Sequence, residues 1–433
     1  MIIRDRRRLG KKAFLSLGLV VMLAAPGAVT FAQETTPSSL PPGWVTSTPT
    51  GLIAEPRLLR KVANASDASM NGGGEGNDGP YVEFGNMITG AGWISAGPGY
   101  RRHVLNGRAL VDVSAAVSWN RYKVAQARFE VPHLAHERVS LGGQAIYQDL
   151  LQVNYFGLGI DSRKADHSAY RLNDANLLGY ATVRATSWLS VSGRFGWIHQ
   201  PNLSTATGRN VAVPNTIDLF SETSAPGIRT QPSFLHGDVS VAADWRDHPG
   251  HPTTGGLYRA AAASYSDRDA GSDSFRRYEV EASQFVPLFT KKWILALHGW
   301  EVFSHTASGD VVPFYLMPSL GGQNTLRGYY DYRFHDNNMQ SFNAESRWAL
   351  FAHVDAAAFV DAGKVAPRAG DLDFKHLKTS YGAGLRVHNA TSTLVRLDIG
   401  HSAEGWRVFF KMTDPFKRST PASGRSVVVP FVP

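Results

Sequence analysis

The sequence predicts an all-β fold: a transmembrane antiparallel β-barrel of about 16 strands. Three observations carry this. After the first 32 residues, no segment approaches the ~18 consecutive apolar residues of a membrane-crossing helix. Long stretches alternate apolar and polar with a period of two, and the polar face holds charges. The connections between those stretches sort by length, short on one side and long on the other.

The N-terminus stands apart. Arg4, Arg6, Arg7, Arg8, Lys11 and Lys12 precede an apolar run from Ala13 to Ala25, and small residues lead to Thr30-Phe31-Ala32. This is the order of a secretory signal peptide, so residues 1–32 are expected to be removed before Gln33. A retained anchor would need a longer apolar run. The export signal also changes the charge argument. Its six basic residues and Asp5 supply +5 of the net +8, leaving +3 on the rest. A basic partner surface for nucleic acid therefore loses its main support. The chain has no cysteine, which excludes a disulfide framework and thiol chemistry.

Residues 33–80 begin Pro/Ser/Thr-rich and end in Asn71-Gly72-Gly73-Gly74-Glu75-Gly76, the composition of a flexible segment. Between these, Glu55 to Ala65 carries Leu58, Leu59 and Val62 at helical spacing, a candidate short amphipathic helix.

The barrel is expected over 81–416. Val111, Val113, Ala115, Val117 and Trp119 share one face, with Asp112, Ser114, Ser118 and Asn120 on the other. Tyr381, Ala383, Leu385 and Val387 alternate with Gly382, Gly384, Arg386 and His388; Val395, Leu397 and Ile399 alternate with Arg396 and Asp398. Such a pattern suits a wet lumen and a lipid-facing exterior, although a soluble sandwich would alternate too. The expected strands are 82–88, 91–104, 108–120, 122–133, 139–156, 170–185, 189–200, 233–246, 256–267, 274–287, 291–305, 339–350, 354–364, 378–388, 392–401 and 405–416. Connections after even strands are short, and the two long ones, 201–232 and 306–338, follow odd strands. An outer-membrane barrel with a periplasmic N-terminus sorts its loops this way, and a sandwich has no reason to. Residues 417–433 form a C-terminal tail whose Val427-Val428-Val429 could add to a strand edge.

The second long loop holds the most distinctive stretch, "GGQNTLRGYYDYRF", residues 321–334. Arg327 sits there beside Gly328, which would let the backbone turn at the tip. The loop either stays in solvent or folds back into the lumen. In the lumen, Arg327 would meet Glu345 and Asp361 on the next two strands in a charge-assisted clamp.

Leu326-Arg327-Gly328-Tyr329 resembles the (Val/Ile/Leu)-Arg-Gly-(Phe/Tyr) loop motif of BamA/TamA outer-membrane proteins, the bacterial surface-antigen superfamily. Phe359-x-Asp361-x-Gly363 is similar to that family's thirteenth-strand motif, and Glu345 matches its twelfth-strand acid. "YGAGLRV", "TLVRLDIG" and "RVFFKMTDPF" resemble its last three strands, so the resemblance is strongest over 315–416. It implies that the loop enters the barrel and that Arg327 contacts Glu345 and Asp361. It also implies insertion or translocation of proteins at the outer membrane, through a weak seam between the first and last strands. The closing strand from Gly405, with the aromatics Phe410 and Phe416, resembles the family's barrel-targeting signal. Family members usually carry periplasmic POTRA domains; residues 33–80 are too few for one.

Other constellations are weak. Asp247, His248 and His251 lie among Pro249, Gly250 and Pro252, a turn rather than a metal site, and no metal is expected there. Gly400-His401-Ser402-Ala403-Glu404-Gly405 lacks the spacing of a nucleophile elbow, and no catalytic residue or cofactor is expected. The expectation is a bacterial outer-membrane barrel that inserts or translocates proteins, or lipids. Its partners would be outer-membrane lipid, an unfolded or secreted protein client, a separate periplasmic partner, and the barrel-assembly machinery for its own insertion. The alternative is a passive solute-conducting pore; a barrel hydrolase would need an organised nucleophile and base.

Overall fold

A computed structural model describes residues 51–53, 55, 78–84, 94–210, 212–289, 292–389, 392–412 and 414–416. The expected signal peptide 1–32, the helix at 55–65 except Glu55, and the tail 417–433 lie outside the described residues.

Sixteen strands form one antiparallel sheet in chain order. They are β1 Gly79–Phe84, β2 Ser95–Val104, β3 Ala109–Ser118, β4 Lys123–Leu134, β5 Val139–Tyr155, β6 Ser168–Arg184, β7 Leu189–Thr205 and β8 Phe234–Asp244. The second half is β9 Gly255–Asp267, β10 Phe275–Pro287, β11 Trp293–Thr306, β12 Asn338–Phe351, β13 Val354–Ala366, β14 Lys378–His388, β15 Thr393–Ser402 and β16 Gly405–Lys411. β1 and β16 end the order, and among the described residues no backbone pairing joins them. Contacts that skip many strands curl the sheet into a barrel. Arg333, between β11 and β12, reaches Ser162 beyond β5, and Phe416 beyond β16 reaches Phe285 on β10.

The burial pattern is inverted relative to a soluble protein. Val113, Phe129, Tyr147, Leu177, Phe195, Val239, Tyr381, Ile399 and Trp406 are exposed on the outer wall. Their sequence neighbours point inward as buried polar groups. Gln144 donates to Gln126 (2.9 Å), which donates to Ser114 (3.0 Å), and Arg101 pairs with Asp112. Apolar groups outside and satisfied polar groups inside are what a barrel in lipid requires.

Several expected boundaries moved, each for a local reason. β7 runs on to Thr205 because Pro201, read as a strand end, sits at a register shift between β6 and β7 where no ladder donor is needed. β1 lies earlier than 82–88, pairing Gly79 through Phe84 with β2. The last strand stops at Lys411 instead of 416. Pro415 cannot extend a ladder, and the side chains of Asp414 and Phe416 find partners inside the lumen.

The ends of the barrel are covered differently. At the end that carries the long loops, Phe314, Tyr315, Leu316 and Met317 from the β11–β12 loop pack on Tyr155, Tyr170, Phe234 and Tyr265. At the end that carries the short turns, the turn between β8 and β9 reaches the β14–β15 turn, where Thr393 N–H donates to the Gly250 carbonyl (2.9 Å). Leu52 and Ile53 donate to the carbonyls of Ala349 and Leu350 at the end of β12 (2.9 Å each).

Candidate functional site

The loop between β11 and β12 enters the lumen. A two-residue pairing of Ser319-Leu320 with Phe334-His335 closes its base. Leu326 and Tyr329 anchor the tip among Trp300, Val302, Leu320, Phe334, Met339 and Val365. Between these anchors, Arg327 projects at the walls of β12, β13 and β15 and is fully buried.

Arg327 makes a forked contact with Asp361: Nη2 lies 2.7 Å from Oδ1 and Nε 3.1 Å from Oδ2. Its backbone N–H also donates to Asp361 Oδ2 (3.0 Å), so one carboxylate fixes both side chain and main chain. Nη1 donates to Glu345 Oε2, and the guanidinium lies over the Phe359 ring at 3.5 Å. Burial works against the charge, but Asp361 and Glu345 outweigh it and hold the Arg327 guanidinium above its ordinary range. Asn343 and Ser380 hydrogen-bond the same Asp361 (2.9 and 3.2 Å).

Four glycines make room, in two ways. Gly328 is not in the left-handed region; a Cβ there would come within 2.7 Å of the His401 backbone, so its role is close approach rather than the turn expected from sequence. Ser402 Oγ donates to the Gly328 carbonyl (2.7 Å). On the facing wall, Gly382 leaves space for the Phe359 ring and Gly384 for Arg386 and Asp398. A Cβ on Gly363 would strike the Gln340 carbonyl and Leu320 at the loop base.

Sequence reasoning placed Arg327, Glu345 and Asp361 together but missed the larger network. Arg386 donates to Glu345 (2.8 Å) and pairs with Asp398 (2.5 Å). Arg347 donates to Glu345 (2.8 Å) and forms an ion pair with Asp414 (2.8 Å). Arg396 lies 3.5 Å from Asp398 and donates to the Gln323 carbonyl of the loop (3.1 Å). Arg327, Arg347, Arg386 and Arg396 thus face Glu345, Asp361, Asp398 and Asp414, four charges of each sign and all buried. Matched charge is what allows so many ions to leave water together. The polar-face positions of Arg386, Arg396 and Asp398 were visible as period-two alternation; their partners were not.

The closing-strand residues separate. Gly405 (φ +106°) makes the β15–β16 turn, and Phe410 on β16 pairs opposite Leu397 on β15. Phe416 is instead inside the lumen, stacked on His298 at 5.0 Å and tilted against Phe285. As expected at the β8–β9 turn, Asp247 serves backbone geometry, accepting from Thr253 and His248 N–H groups (2.9 Å each). His251 leaves that turn to meet Asp355 and His388.

Residues 105–404 match the Omp85 superfamily domain. No curated protein sequence matches this chain. Among solved structures, it is similar to BamA from Haemophilus ducreyi lacking POTRA domains 1–3. That likeness has 18% identity and TM-score 0.57, covering 78% of this chain and 70% of that one. It is also similar to CdiB from Escherichia coli (15%, TM-score 0.50, 77% and 62%) and CdiB from Acinetobacter baumannii (13%, TM-score 0.47, 78% and 59%). At these identities the likeness is one of fold. The domain match covers well over half of the sequence, and this chain accordingly belongs to the Omp85 superfamily of bacterial outer-membrane β-barrels.

Proposed function

We propose that this barrel inserts or translocates proteins at the outer membrane, acting with a separate periplasmic partner. The observation that carries the reading is the lumen loop. Its arginine is locked to β12 and β13 while its tip carbonyl and Gly328 touch β15, one strand from the β16 edge. A rigid loop braced against the last strands supports an edge that opens sideways: it holds β12–β15 in place and touches β16 where Arg407 lies over the Tyr330 ring. Among the described residues β16 pairs only with β15. The edges of β1 and β16, unpaired among the described residues, offer backbone donors and acceptors to an extended client segment, the chemistry of strand addition. No reacting group is required by this reading.

Reconstitution in liposomes tests it. An unfolded outer-membrane barrel client should acquire protease resistance and heat-modifiable migration faster with the protein than without it, while small-solute flux stays low. Solute flux with no acceleration of insertion would support a passive pore and overturn the proposal.

A further inference from the structure

The outer wall of β2–β7 is not smooth. Ala115 opposes Ala125 across β3–β4, and Ala127 opposes Ala145 across β4–β5. These small side chains line an apolar groove of about 780 Å³, beside which the exposed rings of Tyr147 and Trp197 stand out from the wall. That volume is in the range of small-ligand sites, and on a lipid-facing wall the fitting ligand is an acyl chain.

Toward the end that carries the long loops, the rim of this groove is basic. Lys123, next after Ala125 on the same face of β4, opposes Asp149 on β5, with Nζ 3.8 Å from Oδ2. Arg171 on β6 forks onto the same carboxylate, Nε to Oδ1 at 2.7 Å and Nη2 to Oδ2 at 2.9 Å. Arg121 in the β3–β4 turn and Arg209 in the β7–β8 loop are exposed, and neither pairs with a carboxylate among the described residues. The Arg209 guanidinium lies over the exposed Trp119 ring at 4.9 Å. Trp119 follows Val113 and Val117 on the lipid-facing side, and a tryptophan at that position marks the level of the lipid headgroups. Arg121, Lys123, Arg171 and Arg209 therefore share one rim with a single carboxylate, Asp149, leaving positive charge to spare at headgroup level.

We propose that this groove binds a phosphate-bearing, acylated lipid of the outward leaflet, an acyl chain lying along Ala115, Ala125, Ala127 and Ala145 and the phosphate meeting Arg121, Lys123 and Arg209. Long loops mark the outward end of such barrels, which fixes the leaflet. The spare positive charge selects an anionic headgroup over a zwitterionic one, whose own cation it would repel. The bound lipid would brace the strands next to β1, as the Arg327 network braces the strands next to β16.

The test is native mass spectrometry of the full chain, purified and delipidated in detergent. The probes are lipid A, lipid A stripped of its phosphates, dilauroyl phosphatidylcholine and inorganic phosphate. Wild type should retain one lipid A per barrel, and none of the other three should displace it. Arg121→Ser and Arg209→Ser should each weaken lipid A binding about fivefold, the effect of one basic residue at an anionic lipid surface. Ala127→Leu, which fills the groove without changing charge, should also weaken it. Arg276→Ser, removing an exposed arginine at the same end of β10, should bind as wild type. Unboiled gel migration reports folding. Arg121 and Arg209 lie in a turn and a loop, so their variants carry the test even where Ala127→Leu fails to fold. Equal retention of lipid A and phosphatidylcholine would mean a general lipid coat and overturn the proposal. Equal affinity of the folded variants and wild type, or displacement of lipid A by inorganic phosphate, would overturn it too.

Discussion

A Cβ placed on Gly400 would lie 1.8 Å from the carbonyl oxygen of Arg327, so the loop tip rests directly on the backbone of β15. The contact depends on a missing side chain, and this makes it testable without touching any charge. Gly400→Ala should force the tip away from β15 at a cost of roughly 1–3 kcal/mol, the usual range for overpacking. The barrel should still migrate as folded on unboiled gels, while protease cuts residues 321–334 faster than in wild type.

The ionic clamp makes a second prediction. Removing one partner of a buried pair costs roughly 3–5 kcal/mol. Arg327→Ala and Asp361→Ala should each release the loop and raise single-channel conductance. The double variant should be clearly less than additive, since both changes remove one interaction. Additive effects in that cycle would mean that Arg327 and Asp361 act separately.

Loop docking should depend on pH through Asp331. Burial pushes its carboxyl up to about 6, against the pull of Lys411 and Arg407. A raised acid pKa favours the docked state when the group is protonated. Its contribution is therefore complete below about pH 4 and is lost as pH rises through about 6. The rise of about two pH units corresponds to roughly 2–3 kcal/mol. Protease access to the loop should be lower at pH 5 than at pH 7.5, and Asp331→Asn should flatten the difference. An unchanged pH response in Asp331→Asn would assign the effect to another group.

The C-terminal segment should behave as part of the lumen wall. Phe416→Ala removes the ring between His298 and Phe285, and Asp414→Ala leaves Arg347 with Glu345 alone. Both should lower the heat stability of the folded band, by about 3 kcal/mol or more where burial is complete. A cysteine replacing Phe416 should react with maleimide slowly when folded; fast reaction would place the segment outside.

The strands were legible because a barrel repeats one physical demand, apolar out and polar in, at every second residue. Gly382 and Gly384 were placed on the polar face for the same reason. Register between distant strands follows no such local rule. Arg386 and Asp398 were visible as lumen-facing, yet nothing nearby in sequence marks Glu345 as the acid shared by Arg386, Arg347 and Arg327. Phe416 misled because an aromatic after an alternating stretch looks like the end of a strand; the deciding feature, Asp414 pairing with Arg347, is tertiary. His251 was hidden likewise, since Asp355 and His388 lie far along the chain.

The proposed insertion depends most on lateral opening between β1 and β16. The chain has no native cysteine, so one cysteine placed within Gly79–Phe84 and one within Gly405–Lys411 can form only the intended bond. The measurement is client insertion into liposomes by this pair, oxidised against reduced. Oxidation should abolish accelerated insertion, reduction should restore it, and small-solute flux should be the same in both. Equal insertion by the oxidised and reduced proteins would contradict lateral opening.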